Sequence, residues 1–194
     1  DNPDAEALYM GAVCYRYKKD YRQAQALLSR LLTIDPNNGR AHQEQGHLLM
    51  AEKQPAPALS AFVRACNINP ALTASWQAQA TLFSALGDRS SADQAKAQLA
   101  RLQATPKHLV AVTDLLSQGK WVKAENICRQ FLQKNPRHCE AMRLLADVGQ
   151  RLGALDEAEF LLESAAVFEP DNQQVRIDYI GVLRKRQRFS QALD

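Results

Sequence analysis

An alanine returns at Ala24, Ala58, Ala92, Ala124, Ala158 and Ala192, at intervals of 34, 34, 32, 34 and 34 residues. A proline keeps a similar beat at Pro36, Pro70, Pro136 and Pro170. A period of this length marks a solenoid, in which each unit buries its apolar face against its neighbours. It overrides the one or two globular domains that 194 residues would otherwise suggest. Solenoids bind more often than they catalyse, so the period bears on function as well as fold.

Closing each unit two residues after its proline gives 5–38, 39–72, 73–104, 105–138, 139–172 and a partial 173–194. Apolar and small residues then fall at spacings of three and four, in two runs per unit. Leu8, Ala12 and Tyr15 precede Ala24, Leu28 and Leu31; Gly46 and Leu49 precede Ala58, Phe62 and Ala65; Met142, Leu145 and Ala146 precede Ala158, Leu162 and Ala165. Each unit is therefore read as two helices. Small residues at Ala12, Gly46, Ala80 and Ala146 face the recurring alanine, where a larger side chain would cost ~1–3 kcal/mol by overpacking. Gly87, Gly119 and Gly153 are placed to stop the first helices in a left-handed conformation. Lys19 and Lys53 stand at that place in the first two units, so those turns are expected to close differently. Asp35-Pro36, Asn69-Pro70, Asn135-Pro136 and Glu169-Pro170 end units, because the residue before proline resists helix.

The pattern resembles the tetratricopeptide repeat, whose signature runs Trp-x-x-Leu-Gly-x-x-Tyr, Ala-x-x-x-Phe and Pro. Trp76, Gly46, Tyr15, Ala58, Phe62 and Pro70 match, and the likeness spans residues 5–194. It implies an all-α fold, a right-handed α-α superhelical solenoid of helix-turn-helix repeats. The third unit departs, with Lys96 at an aromatic place, Ala104 at the proline place and two residues missing before Ala124. Thr105-Pro106 then opens the next helix. A kink near 100–107 is expected, dividing repeats one to three (1–104) from repeats four to six (105–194).

In such solenoids the first helix of each repeat lines the concave groove. The stripe left after packing is Tyr9, Val13 and Arg16; Gln43, His47 and Met50; Gln77, Thr81 and Ser84; Leu109, Thr113 and Leu116; Arg143, Asp147, Gln150 and Arg151; then Ile177, Arg184 and Lys185. Its amides and hydroxyls suit a peptide or protein segment, and the basic run Arg184–Arg188 with Arg143 and Arg151 is read as an anion-attracting end. The Lys, Asn and Arg clamp by which some members of the family grip chaperone tails is absent: its places hold Tyr9, Val13, Glu44, Ala74 and Ala78, or, counted from the fourth repeat, Leu109, Thr113, Leu144, Gln174 and Asp178.

Catalysis finds no support. His42 and His47 are five apart, the wrong helical spacing for a shared ligand face, and His108 and His138 fall at helix starts. Asp156, Glu157 and Glu159 follow a turn and read as complements to a helix N-terminus. There is no glycine-rich phosphate loop, so neither a metal nor another cofactor is expected. The four cysteines show no Cys-x-x-Cys spacing and read as buried, reduced thiols, which favours a cytoplasmic setting. A net charge of +3 gives no general pull on nucleic acid, and no apolar stretch is long enough for a membrane span.

Four strings carry a narrower resemblance, to the N-terminal half of bacterial tetratricopeptide-containing sulfotransferases: 124–129, 143–147, 158–163 and 176–179. It implies that the array recruits substrate for a catalytic domain outside this chain. The start at Asp1-Asn2-Pro3 leaves room for a removed leader. The apolar stripe begun by Phe189, Ala192 and Leu193 lacks a polar cap. A continuing protein is therefore expected, with self-association through that stripe if the piece is isolated.

Overall fold

The computed structural model describes residues 3–188, and every element among them is helical. The chain divides into two compact units, residues 1–105 and 106–194. Unit 1 holds α1 (Pro3–Tyr17), α2 (Tyr21–Ile34), α3 (Gly39–Ala51), α4 (Pro55–Ile68), α5 (Thr73–Ala85) and α6 (Arg89–Ala104). Unit 2 holds α7 (Lys107–Ser117), α8 (Trp121–Lys134), α9 (Cys139–Leu152), α10 (Leu155–Phe168) and α11 (Gln173–Lys185). Within each unit successive helices pack together, and first helices also meet: α1 with α3, α7 with α9, and α9 with α11. The stripe begun by Phe189, Ala192 and Leu193 lies outside the described residues.

The alanine ladder is the inner wall of both units. Ala24, Ala58, Ala124 and Ala158 are fully buried and Ala92 is nearly so. Close approach is demonstrated at Gly46, where an added Cβ would stand 2.6 Å from the Phe62 ring. Phe62 is completely buried and belongs to a cluster with Ala58 and Leu82.

The turns correct one expectation. Gly87, Gly119 and Gly153 are left-handed, and so are Lys19, Lys53 and Gln187, with φ of 62°, 60° and 59°. The lysine turns therefore close in the same way as the glycine turns. The reason is a shared hydrogen bond: the N–H after the left-handed residue reaches the carbonyl five residues back. It runs Asp20 to Tyr15, Gln54 to Leu49, Asp88 to Phe83, Lys120 to Leu115, Ala154 to Gly149 and Arg188 to Leu183, at 2.8–3.0 Å. That geometry requires a left-handed residue whatever its type. The side chains at 19, 53 and 187 bear a conformational cost of about 1 kcal/mol each.

The irregular repeat is resolved into parts. The helix α6 has 16 residues, whereas α2, α4, α8 and α10 have 14 each. Only Thr105 and Pro106 separate it from α7, which has 11 residues, and Pro106 stands at the N-cap instead of the first helical position. The missing residues thus come from the connection and the start of the following helix.

Cys14 departs from the expectation of four buried thiols. It is exposed, while Cys66, Cys128 and Cys139 are buried. Burial pushes the Cys66 and Cys128 thiols up to about 12, and Cys139 to about 11, so all three stay protonated and unreactive at neutral pH. His42, in the first turn of α3, is buried, with Nε2 3.0 Å from the Pro36 carbonyl oxygen. Among the described residues no helix is long and apolar enough to cross a membrane.

Candidate functional site

The polar stripe foreseen on the first helices is largely bonded to its own scaffold. Arg16 pairs with buried Glu44 of the next repeat and stacks over the Tyr17 ring at 4.5 Å. Gln43 accepts from the Ser75 hydroxyl at 3.0 Å. Arg143 bonds Glu140 in its own helix and Asp178 on α11, at 2.8–2.9 Å. Gln150 accepts from Lys185 at 2.8 Å, and Asp147 pairs with Arg151 at 3.2 Å. Thr81, Ser84 and Thr113 donate to the carbonyls of Gln77, Ala80 and Leu109, four residues back. Arg16, Gln43, Arg143 and Gln150 thereby tie neighbouring repeats, whereas the threonine, serine and Asp147–Arg151 bonds stay within one helix.

Two residues of the stripe lie in the core instead. Leu109 and Leu116 are buried against Leu144 and Val148, because α9 lies against the leucine face of α7. Half-buried Tyr9 and His47 flank the Arg16–Glu44 pair. Burial, then the Glu44 charge, raises the Tyr9 phenol. Burial lowers the His47 imidazole, whose ring meets Phe62 edge-on at 5.1 Å.

The basic run at the end of α11 is also partly paired. Arg186 pairs with Asp156 and Glu159, and Arg188 reaches Glu159 at 2.6 Å. Glu157 pairs with Arg129 at 2.7 Å. Asp156, Glu157 and Glu159 therefore act as cross-repeat partners, and no side chain caps α10. Only Arg184 of the run is exposed with no hydrogen bond or ion pair among the described residues. Arg143, Arg151, Arg186 and Arg188 are thus paired with carboxylates, and Arg184 and Lys185 are the charges left to the expected anion-attracting end.

What remains open lies in unit 1. Gln77, Thr81 and Ser84, three residues picked from sequence, line a single hollow of about 240 Å³. Ala80 of the same helix and Lys96, Leu99, Ala100 and Gln103 of α6 complete it. The Lys96 side chain is 58% exposed and pairs with Asp93 at 3.1 Å, whereas its counterparts Leu28, Phe62 and Leu162 are fully buried. The exposed Gln77 side chain makes no hydrogen bond among the described residues. No three His, Cys, Asp or Glu side chains gather to hold a metal among the described residues.

The described residues thus form helical-hairpin repeats with an open polar face. Family models of the tetratricopeptide repeat match residues 5–38 and 115–167, and the chain is a member of the tetratricopeptide repeat family. Solved structures similar to it include PilF of Pseudomonas aeruginosa, at 15% identity over 98% of this chain and 87% of that one, with a TM-score of 0.47. PilW, described as a type IV pilus biogenesis factor, is 20% identical over 99% of this chain and 90% of its own, with a TM-score of 0.48. A thermophilic tetratricopeptide repeat protein of Thermus thermophilus is 19% identical over 92% and 98%, with a TM-score of 0.45. No curated protein matches the chain.

Proposed function

We propose that this chain is a protein-interaction scaffold that takes a peptide or protein segment on the first-helix face of unit 1. The observation that carries the reading is the hollow beside Gln77, Thr81 and Ser84. Elsewhere on the stripe the strong polar groups are tied to neighbouring repeats, so a ligand would have to break existing bonds to use them. At Gln77 an amide is available without that cost, beside an apolar floor of Ala80 and Leu99. A photo-crosslinking side chain placed at 77 is expected to capture protein partners in source cells, and the same group at 167 on α10 is not. Equal capture at both positions, or capture at 167 alone, would move the binding surface away from this face.

A second reading makes the array the recruiting arm of a sulfotransferase. It is supported by the strings at 124–129, 143–147, 158–163 and 176–179. Among their charged members Glu125, Arg129, Arg143, Asp147, Glu159 and Asp178 form ion pairs or hydrogen bonds within unit 2, whereas Glu163 and Arg176 are exposed. Most of those charges have an explanation in how the unit holds together, and the scaffold reading is preferred.

A further inference from the structure

The hollow on α5 and α6 has a precedent inside the same unit. Moved back by the 34-residue period, its lining residues land on α3 and α4, where Gln43 and Phe62 meet α5. Gln77 falls on Gln43, Ala80 on Gly46, Lys96 on Phe62 and Leu99 on Ala65. In that earlier seat the packed helix makes specific contacts. Ser75 donates to the Gln43 side chain at 3.0 Å, and the Gln79 amide donates to the Phe62 carbonyl at 3.1 Å. Leu82 packs on Phe62 and Ala58. Ser75, Gln79 and Leu82 stand at i, i+4 and i+7, a single face of α5, and all three are buried.

The later seat keeps the glutamine, and among the described residues of unit 1 nothing of this kind stands against it. Gln77 presents its amide where Gln43 does. Lys96 leaves bare the floor that Phe62 fills one period earlier. The lining holds one cation and no carboxylate. Counted from its turn residue, α7 carries Lys107, Ala111 and Asp114 at the places of Ser75, Gln79 and Leu82. That set carries a charge at both ends and a methyl between them, so the α7 sequence does not repeat the seated face.

Resting on the scaffold reading, we infer that the α5–α6 seat binds an amphipathic helix of a partner protein, held as α3 and α4 hold α5. The partner helix presents a hydroxyl or amide at i and i+4 and a leucine-sized apolar residue at i+7. It carries no lysine or arginine on that face, because Lys96 would repel it. Continuity with an interface already built in the unit is what specifies this occupant.

The test uses the full chain and a fluorescent, end-capped peptide copying residues 71–88 as the probe, read by anisotropy. Saturable binding is expected. Ala100→Trp, which fills the hollow from an exposed position, should weaken it about ten-fold or more, because an occupied site overpacks. Lysine at the peptide's Leu82 place should abolish it. Circular dichroism checks that the variant keeps its helices, and Thr81→Arg, also at an exposed position, is a second obstruction. Absence of saturable binding up to about 1 mM overturns the seat. Binding untouched by both obstructions overturns it too; if that peptide crosslinks to other first-helix residues such as Tyr9, the scaffold reading survives. Dimerisation abolished by Ala100→Trp, without peptide binding, would assign the seat to a second copy and also overturn the inference.

Discussion

Unit 1 and unit 2 stack the same hairpin with different bonds. In unit 1 the cross-repeat contacts are mostly neutral: Ser75 to Gln43, Gln79 to the Phe62 carbonyl and the Trp76 indole to the Pro70 carbonyl at 2.9 Å, with Arg16–Glu44 as the ion pair. In unit 2 they are charged: Arg129 to Glu157, Arg143 to Asp178, and Arg186 and Arg188 to Glu159. The lesson is that the repeat fixes where helices approach and leaves open how their flanks are joined. The first solution depends on packing and the second on charge, so the two units should fail under different stresses.

Native-state hydrogen exchange on the full chain reads the two units separately. The largest effect should come from Phe62→Ala, which removes a fully buried ring and costs about 3–5 kcal/mol, read in the α3–α5 amides. Lys96→Ala, one period later, should change stability by less than ~0.5 kcal/mol. Comparable losses at both positions would refute the claim that the third repeat leaves this place empty.

Next in size is Glu159→Gln, expected to cost about 1–3 kcal/mol in α9–α11, because two arginines lose a largely buried partner. Ser75→Ala should cost about 1 kcal/mol in α3–α5. Raising NaCl from about 0.05 to 1 M should narrow the first cost and leave the second unchanged, since salt screens charge only. The same salt response in both would erase the distinction between the units.

Acid should reach unit 1 through His47. Its folded-state pKa is lowered by burial, so the unfolded chain protonates first. Stability is fully present above the unfolded value near 6.5 and is lost as pH falls through the lowered folded value. His47→Phe should remove that loss from the α1–α4 amides as pH falls below about 6.5. A wild-type profile flat over this range would show that the imidazole is not desolvated. The smallest expected effect is at the turns: Lys53→Gly should stabilise by about 1 kcal/mol and Gly153→Lys destabilise by a similar amount. Opposite signs would mean that the lysine stem contributes packing that outweighs its backbone cost.

Much of this fold was legible in sequence, and the reason is periodicity. The alanine ladder, the helix pairs and the glycine turns each follow from residues that recur at one register. The lysine turns were misread because a rule about residue type was applied where hydrogen-bond register decides. The cross-repeat pairs were invisible because partners such as Arg16 and Glu44, or Arg143 and Asp178, lie 28 and 35 residues apart. Nothing in a single repeat tells which charge will face which. Leu109 and Leu116 were placed on the groove by counting, and the packing of α9 on α7 removed them. The hollow had a signal, however: Lys96 at an aromatic place was visible as a departure. Comparing the two seats residue by residue would have found it.

Each left-handed residue stands five positions before a ladder alanine: 19 before 24, 53 before 58, 87 before 92, 119 before 124, 153 before 158 and 187 before 192. That distance never varies, even across the irregular repeat. Turn and ladder alanine therefore keep one register, and the variation in length falls around the joint that follows, through the end of the second helix, the connection and the start of the next first helix. For anyone lengthening or shortening this array, that joint is the natural splice point. Cuts there change how many hairpins the chain carries without touching the geometry inside any of them.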